Sequence, residues 1–225
     1  MENKNTRIQL FSIGIAVLLL AFLPFKISYF IIILFIVRIA IFVCPTKGGK
    51  TPSFETSQEA LLVVDMQEAL CGKDGIYPGK EALIDRVNEM IGQAKQQGKK
   101  VIYVCQEFRS WDFIFCFLIL GGRLLEGTGG TSLCTDLNAS GDATFMKHKE
   151  DGFSCVALQR YLMDCKIDKI SVVGVDATAC VLKTALGAAN RNYQVTVLKD
   201  GILSGNQRAT NGVLKKLMKR GIAVS

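Results

Sequence analysis

From residue 58 onward, short apolar runs alternate with stretches in which apolar positions recur at helical spacing. ALLVVDMQ (60–67) is a continuous apolar run closing on Asp65, the pattern of a strand buried on both faces. Residues 79–98 are amphipathic and stop before Gly98, and VIYVC (101–105) is the next strand. A strand near ATFMK (143–147) and a helix from about Ser154 to Cys165 follow. ISVVG (170–174), a helix opening near Cys180, VTVLKD (195–200), a helix over 205–219 and a last strand at IAV (222–224) complete the series. Strands alternating with helices six times predict an α/β fold, a doubly wound parallel six-stranded sheet of Rossmann-like type.

The first 57 residues follow another pattern. Residues 8–25 and 27–44 are almost wholly apolar, each about long enough to cross a bilayer at ~1.5 Å per residue. Pro24, Phe25 and Lys26 break them, which predicts an N-terminal transmembrane helical hairpin. A single span with the other run along the interface is the alternative. No small-x-small site follows the first run and a second run comes at once, which argues against a cleaved signal peptide. Lys4 and Arg7 precede the runs, and Lys47 and Lys50 follow them. The positive-inside rule therefore places both ends, and the domain that follows, in the cytoplasm. The expected division is a membrane anchor at 1–44, a polar linker at 45–57 and the α/β domain at 58–225.

The net charge is +7, but residues 1–50 carry six of the basic side chains against Glu2 alone. Only a small excess is left for the domain, so no nucleic-acid partner is expected. The eight cysteines show neither metal-ligand nor disulfide-framework spacing and read as reduced thiols of a cytosolic protein. One histidine, His148, cannot build a multi-histidine metal site.

Ligands of doubly wound sheets bind beyond the carboxyl ends of the strands, at the switch point. Asp65 ends the first strand, Lys147 ends the third, and Cys180 follows the fourth. Asp65 and Cys180 then face each other across the crevice of a 3-2-1-4-5-6 sheet. A cysteine at a helix start, near a lysine, is expected to be a thiol of lowered pKa and a nucleophile.

These segments together resemble the isochorismatase-like cysteine hydrolases. The resemblance is carried by LLVVDMQ (61–67), FMKHKEDGF (145–153) and GVDATACV (174–181) with the following VTVLKDGI, and covers about residues 58–225. It implies an Asp65–Lys147–Cys180 triad, with Lys147 taken over Lys149 because it stands six residues before Phe153. It also implies a cis peptide at Val175–Asp176, and an oxyanion site at the N–H groups of Asp176 and Cys180. Nicotinamidase-type members hold a metal through an Asp and two His; with His148 alone, no metal and no cofactor are expected. The cysteine favours C–N cleavage over the vinyl-ether cleavage of isochorismatases proper, which lack it. The reading is thus a membrane-anchored amidohydrolase of a small molecule, working through a Cys thioester. Vinyl-ether hydrolysis and a non-catalytic membrane-bound scaffold are the alternatives, and a homo-oligomer is possible from relatives.

Gln67, Glu107 and Phe108 lie beyond strand ends and are candidates for the substrate pocket, Glu107 equally for a surface charge. The run Phe113–Leu120 is expected as a buried helix over the site or at a subunit interface. A lip dipping into the bilayer is the sharper alternative.

Overall fold

The computed structural model describes residues 14, 15, 18 and 24–225, without the Lys26 side chain. Six parallel strands form its sheet: β1 (Gln58–Val64), β2 (Lys100–Gln106), β3 (Ala143–Lys147), β4 (Ile167–Val175), β5 (Gln194–Leu203) and β6 (Ala223–Val224). Their order is β3-β2-β1-β4-β5-β6, the doubly wound order expected from the alternation of elements. Along β1 the side chains turn to opposite faces, as the pleat requires. Leu61 and Val63 enter one core, Leu62 and Val64 the other. A strand covered on both sides has no place for polar residues, which is why its sequence reads as an unbroken apolar run.

Helix α3 (Lys80–Gln96) covers the first face with Leu83, Ile84, Val87, Ile91 and Ala94, one stripe at helical spacing. Helices α5 (Val156–Asp164), α6 (Cys180–Ala189) and α7 (Gln207–Met218) cover the second, with Leu158 and Leu162, Val181 and Ala185, and Leu217. The single-turn helix α2 (Glu68–Cys71) follows β1, and α4 (Phe113–Leu120) follows β2. At the join of β1 and β4, Gly174 has φ 120°, and a Cβ there would lie 2.0 Å from the Val64 carbonyl oxygen. Only glycine lets the two strands meet at that point.

The expected N-terminal transmembrane hairpin is not supported. Most of the first run (8–25) lies outside the described residues. The second forms helix α1 (Phe25–Val43), and no helix among the described residues is long and apolar enough to cross a membrane. One face of the last two turns of α1 packs on the domain. Phe42 is buried in the core, stacked on Phe108 with ring centroids 5.3 Å apart. Arg38 pairs with Asp112 at 3.0 Å and lies over the Phe115 ring at 4.6 Å. Farther from the domain, Phe25, Tyr29, Phe30 and Leu34 are exposed. Helix α4 is half covered: Phe115 and Cys116 pack inward, while Phe113 and Ile114 remain exposed.

The polar stretch after α1 is held down along the domain. Asp151, fully buried, accepts from both the backbone N–H and the hydroxyl of Thr46, at 2.6 Å each. Arg191 donates to the Thr46 carbonyl at 3.1 Å, and the N–H of Thr51 donates to the Arg191 carbonyl at 2.8 Å. Gly187 leaves space for this junction, since a Cβ there would meet Asp151 at 2.3 Å.

Candidate active site

The register of the sheet brings the chemistry together. Val64 pairs with Val104, and the N–H of Asp65 donates to the Val104 carbonyl at 2.9 Å. Asp65 takes a left-handed φ of 53°, which an Asp tolerates better than most residues and which ends the strand abruptly. Strand β2 runs two residues farther, to Gln106, which pairs with Lys147 at the end of β3. The lysine thus reaches back across the end of β2 toward β1.

Its ammonium has four neighbours, at 2.9 Å from Asp65 Oδ2, 2.9 Å from Gln106 Oε1, 3.2 Å from the Lys149 carbonyl and 3.3 Å from Cys180 Sγ. The other carboxylate oxygen, Asp65 Oδ1, is buried without a hydrogen-bond donor among the described residues, and the Cys180 thiol acts on this carboxylate. Asp65, Lys147 and Cys180 are therefore one cluster, from the ends of three elements. Cys180 is its only partly exposed member.

Asp176 organises the turn that presents the thiol. Its carboxylate Oδ1 accepts from the N–H of Thr178 at 2.5 Å, and its carbonyl from the N–H groups of Ala179 and Val181 at 3.2 and 3.0 Å. The N–H groups of Asp176 and Cys180 are left without an acceptor among the described residues. The Val175–Asp176 bond is cis, as the resemblance implied. Val175 itself is buried between the strands. Tyr77 donates to Asp176 Oδ2 at 3.1 Å.

Electrostatics correct the expectation of a lowered thiol pKa. Burial, and then the Asp65 carboxylate, hold the Cys180 thiol well above its ordinary value, with Lys147 offsetting only part. Burial likewise raises Asp65, against the opposing charge of Lys147. Burial alone would push Lys147 down, but Asp65 and Cys180 together keep it above the ordinary lysine value. A dry site holding one cation accommodates one anion and resists a second. The cluster thus holds one ionisable proton between carboxylate and thiol, beside a permanent ammonium.

Other sequence candidates lie elsewhere. Gln67 is buried and spends its amide on backbone: Nε2 donates to the Gln106 and Thr131 carbonyls, and Oε1 accepts from the Gln106 N–H. Phe108 is buried between Phe42 and Phe115. Neither side chain is free to line a pocket, because both are consumed in closing the end of the sheet. Glu107 is half-buried, and its carbonyl meets His148 Nδ1 at 2.9 Å.

Three residues were missed. Gln106, the polar end of the otherwise apolar strand VIYVCQ, orients the ammonium. Tyr77 fixes Asp176. Glu150, whose carboxyl is raised by burial against the charge of Lys183, is close enough to raise the thiol further.

The family model for the isochorismatase domain matches residues 59–225. Among solved structures, the pyrazinamidase of Pyrococcus horikoshii in complex with zinc is 25% identical, over 75% of this chain and 98% of that one, with a TM-score of 0.65. An isochorismatase-like hydrolase from Alkaliphilus metalliredigens is 24% identical, over 75% and 94%, with a TM-score of 0.66. PnC1 from L. infantum in complex with nicotinate shares the fold at 19% identity, over 78% and 94%, with a TM-score of 0.67. A comparison with curated proteins gives no match. The zinc of the first of these has no counterpart donor set here. Among the described residues no group of three or more His, Cys, Asp or Glu side chains could hold a metal. The residues present do not fit the ion.

Proposed function

The chain belongs to the isochorismatase family, and from that membership we propose that it is a cysteine hydrolase cleaving an amide-type C–N bond of a small molecule. The observation that carries this reading is the contact of one buried ammonium with both Asp65 and Cys180, at 2.9 and 3.3 Å. Asp65 takes the thiol proton at its unpartnered oxygen, exchanging one anion for another beside Lys147, so the net charge of the dry site does not change. The thiolate attacks the carbonyl carbon, and the N–H groups of Asp176 and Cys180 receive the oxyanion. As the tetrahedral adduct collapses, the C–N bond breaks and Asp65 gives its proton to the leaving nitrogen. Water, deprotonated by Asp65, then attacks the thioester, and the proton returns to the departing sulfur. The similarity to a pyrazinamidase supports an amide substrate.

The proposal includes attachment to a membrane through the N-terminal apolar segment, with the domain in the cytoplasm. Its support is the exposed apolar surface of α1, Phe25 being 85% and Phe30 61% exposed, together with Lys47 and Lys50 at the domain side. A screen of small amides, ureas and carbamoyl compounds for ammonia release tests the activity. Release that depends on Cys180 supports the reading. Release unchanged in Cys180→Ala, or cleavage of vinyl ethers alone, rejects it.

A further inference from the structure

A cavity of about 330 Å³ lies at the seam between α1 and the domain, and none of Asp65, Lys147 or Cys180 lines it. Its walls come from α1, the segment after β2 and the segment around the end of β3. Four charged side chains, Arg38, Arg109, Asp112 and Lys149, line it, with His148 and the Cys155 thiol. Asp112 is committed to Arg38 at 3.0 Å. Arg109 and Lys149 then remain as cations without an acidic partner among the described residues. Ser154 adds a buried hydroxyl that has no hydrogen-bond partner among the described residues. Two unpaired cations and an unsatisfied hydroxyl around a space of ligand size call for an anion.

The rim says which anion. Ile41 of α1 and Trp111 form the apolar part of the wall, and Trp111 is 72% exposed with Arg109 stacked on its ring at 4.9 Å. Phe113 and Ile114 are exposed at the start of α4, whose Phe115 packs edge-on against Phe35 of α1 with ring centroids 5.9 Å apart. A soluble anion would need the cations alone. A basic cavity opening onto an apolar edge, with a tryptophan at the boundary, matches a molecule with an anionic head and apolar tails.

We propose that this seam is a binding site for the headgroup of an anionic phospholipid, with the phosphate between Arg109, Lys149 and Ser154 and the acyl chains along α1 and α4. The inference rests on the membrane attachment proposed above. It gives that attachment a chemical preference and an orientation, since a lipid held there brings the edge of β3 that carries Lys147 to the membrane surface.

Trp111 is the only tryptophan of the chain, so its fluorescence reports on this cavity alone. The full-length protein is placed in zwitterionic nanodiscs containing a minor fraction of chain-brominated phosphatidylglycerol, or the same fraction of chain-brominated phosphatidylcholine. Preferential quenching by the phosphatidylglycerol is expected, with a selectivity of about 25-fold for two cations at roughly a factor of 5 each. Arg109→Gln/Lys149→Gln should abolish the selectivity, while the charge-matched Lys215→Gln/Lys216→Gln, exposed on α7, should retain it. Equal quenching by the two lipids overturns the headgroup site while leaving attachment intact. Failure of the protein to remain with discs of either composition overturns attachment itself. Selectivity lost equally in both double variants reduces the effect to net charge and overturns the site. Relief of quenching by soluble glycerol phosphate at matched concentration would reassign the cavity to a free phosphate ester and overturn the lipid.

Discussion

Replacing Lys147 by methionine keeps much of the side-chain volume and removes the one cation of the buried cluster. Lys147 and Asp65 are 0% and 1% exposed at their side chains and 2.9 Å apart. At that separation and an effective dielectric of ~20, two unit charges attract by about 6 kcal/mol. Removing one partner leaves a buried carboxylate, so the net loss should be about 3–5 kcal/mol at neutral pH. The pH dependence identifies the cause. Lys147 is held above its ordinary value, so its side of the wild-type pair persists through neutral pH and is lost at strongly alkaline pH, while Asp65, raised by burial, gives up the pair on the acid side as it protonates. In the variant, Asp65 ionises in the unfolded chain near pH ~4 but only at higher pH when folded. Its penalty therefore grows as pH rises from there, and most of the loss should vanish under mildly acidic conditions. Urea unfolding of both proteins in mild detergent at several pH values measures this, with Asp65→Asn/Lys147→Met as the control that removes both charges. A loss below about 1 kcal/mol, or one that neither acid nor the double variant relieves, would refute the buried-pair argument.

Asp65→Asn should lower the Cys180 thiol pKa, because it removes a charge that raises it and leaves Lys147 in place; thiolate ultraviolet absorbance against pH reads this, and turnover should nevertheless collapse. Thr46→Val removes one of the hydrogen bonds to buried Asp151 and should cost about 1–3 kcal/mol, read as a shifted urea midpoint, although residue 46 lies 105 positions away in sequence. Gly174→Ala places a Cβ 2.0 Å from the Val64 carbonyl at φ 120°, and circular dichroism should find it unfolded or severely destabilised.

The sheet order and the meeting of Asp65, Lys147 and Cys180 at one sheet edge were legible because they follow from rules that act locally or on topology. The apolar run of β1, the change to helical spacing after Cys180 and the alternation of elements left a 3-2-1-4-5-6 sheet, which puts Asp65, Lys147 and Cys180 on one edge. What was not legible depends on side-chain direction and on distant partners. Gln67 and Phe108 do lie beyond strand ends, yet that position does not tell whether a side chain faces a pocket or folds back to close the sheet. Gln106 carried a signal, a polar residue ending an apolar strand, that was not used. The stretch 45–57 has the composition of a solvated linker, but Thr46 is bound to Asp151 and Arg191, contacts that no local pattern announces. The raised thiol pKa was missed for a similar reason: a helix start and a lysine argue for a thiolate, and only the buried carboxylate beside them reverses the sign.

The central claim is covalent catalysis by Cys180 in a unit with Asp65 and Lys147. Single-turnover reaction with an amide found in the ammonia screen, quenched in acid and followed by peptide mass spectrometry, tests it most directly. The account predicts a transient acyl adduct on the peptide carrying Cys180 that forms and decays at rates consistent with turnover. The adduct and nearly all activity should be lost in Cys180→Ala, in Asp65→Asn and in Lys147→Met, with little further loss when these are combined. Substantial turnover by folded Cys180→Ala, or an adduct on any other residue, would contradict it.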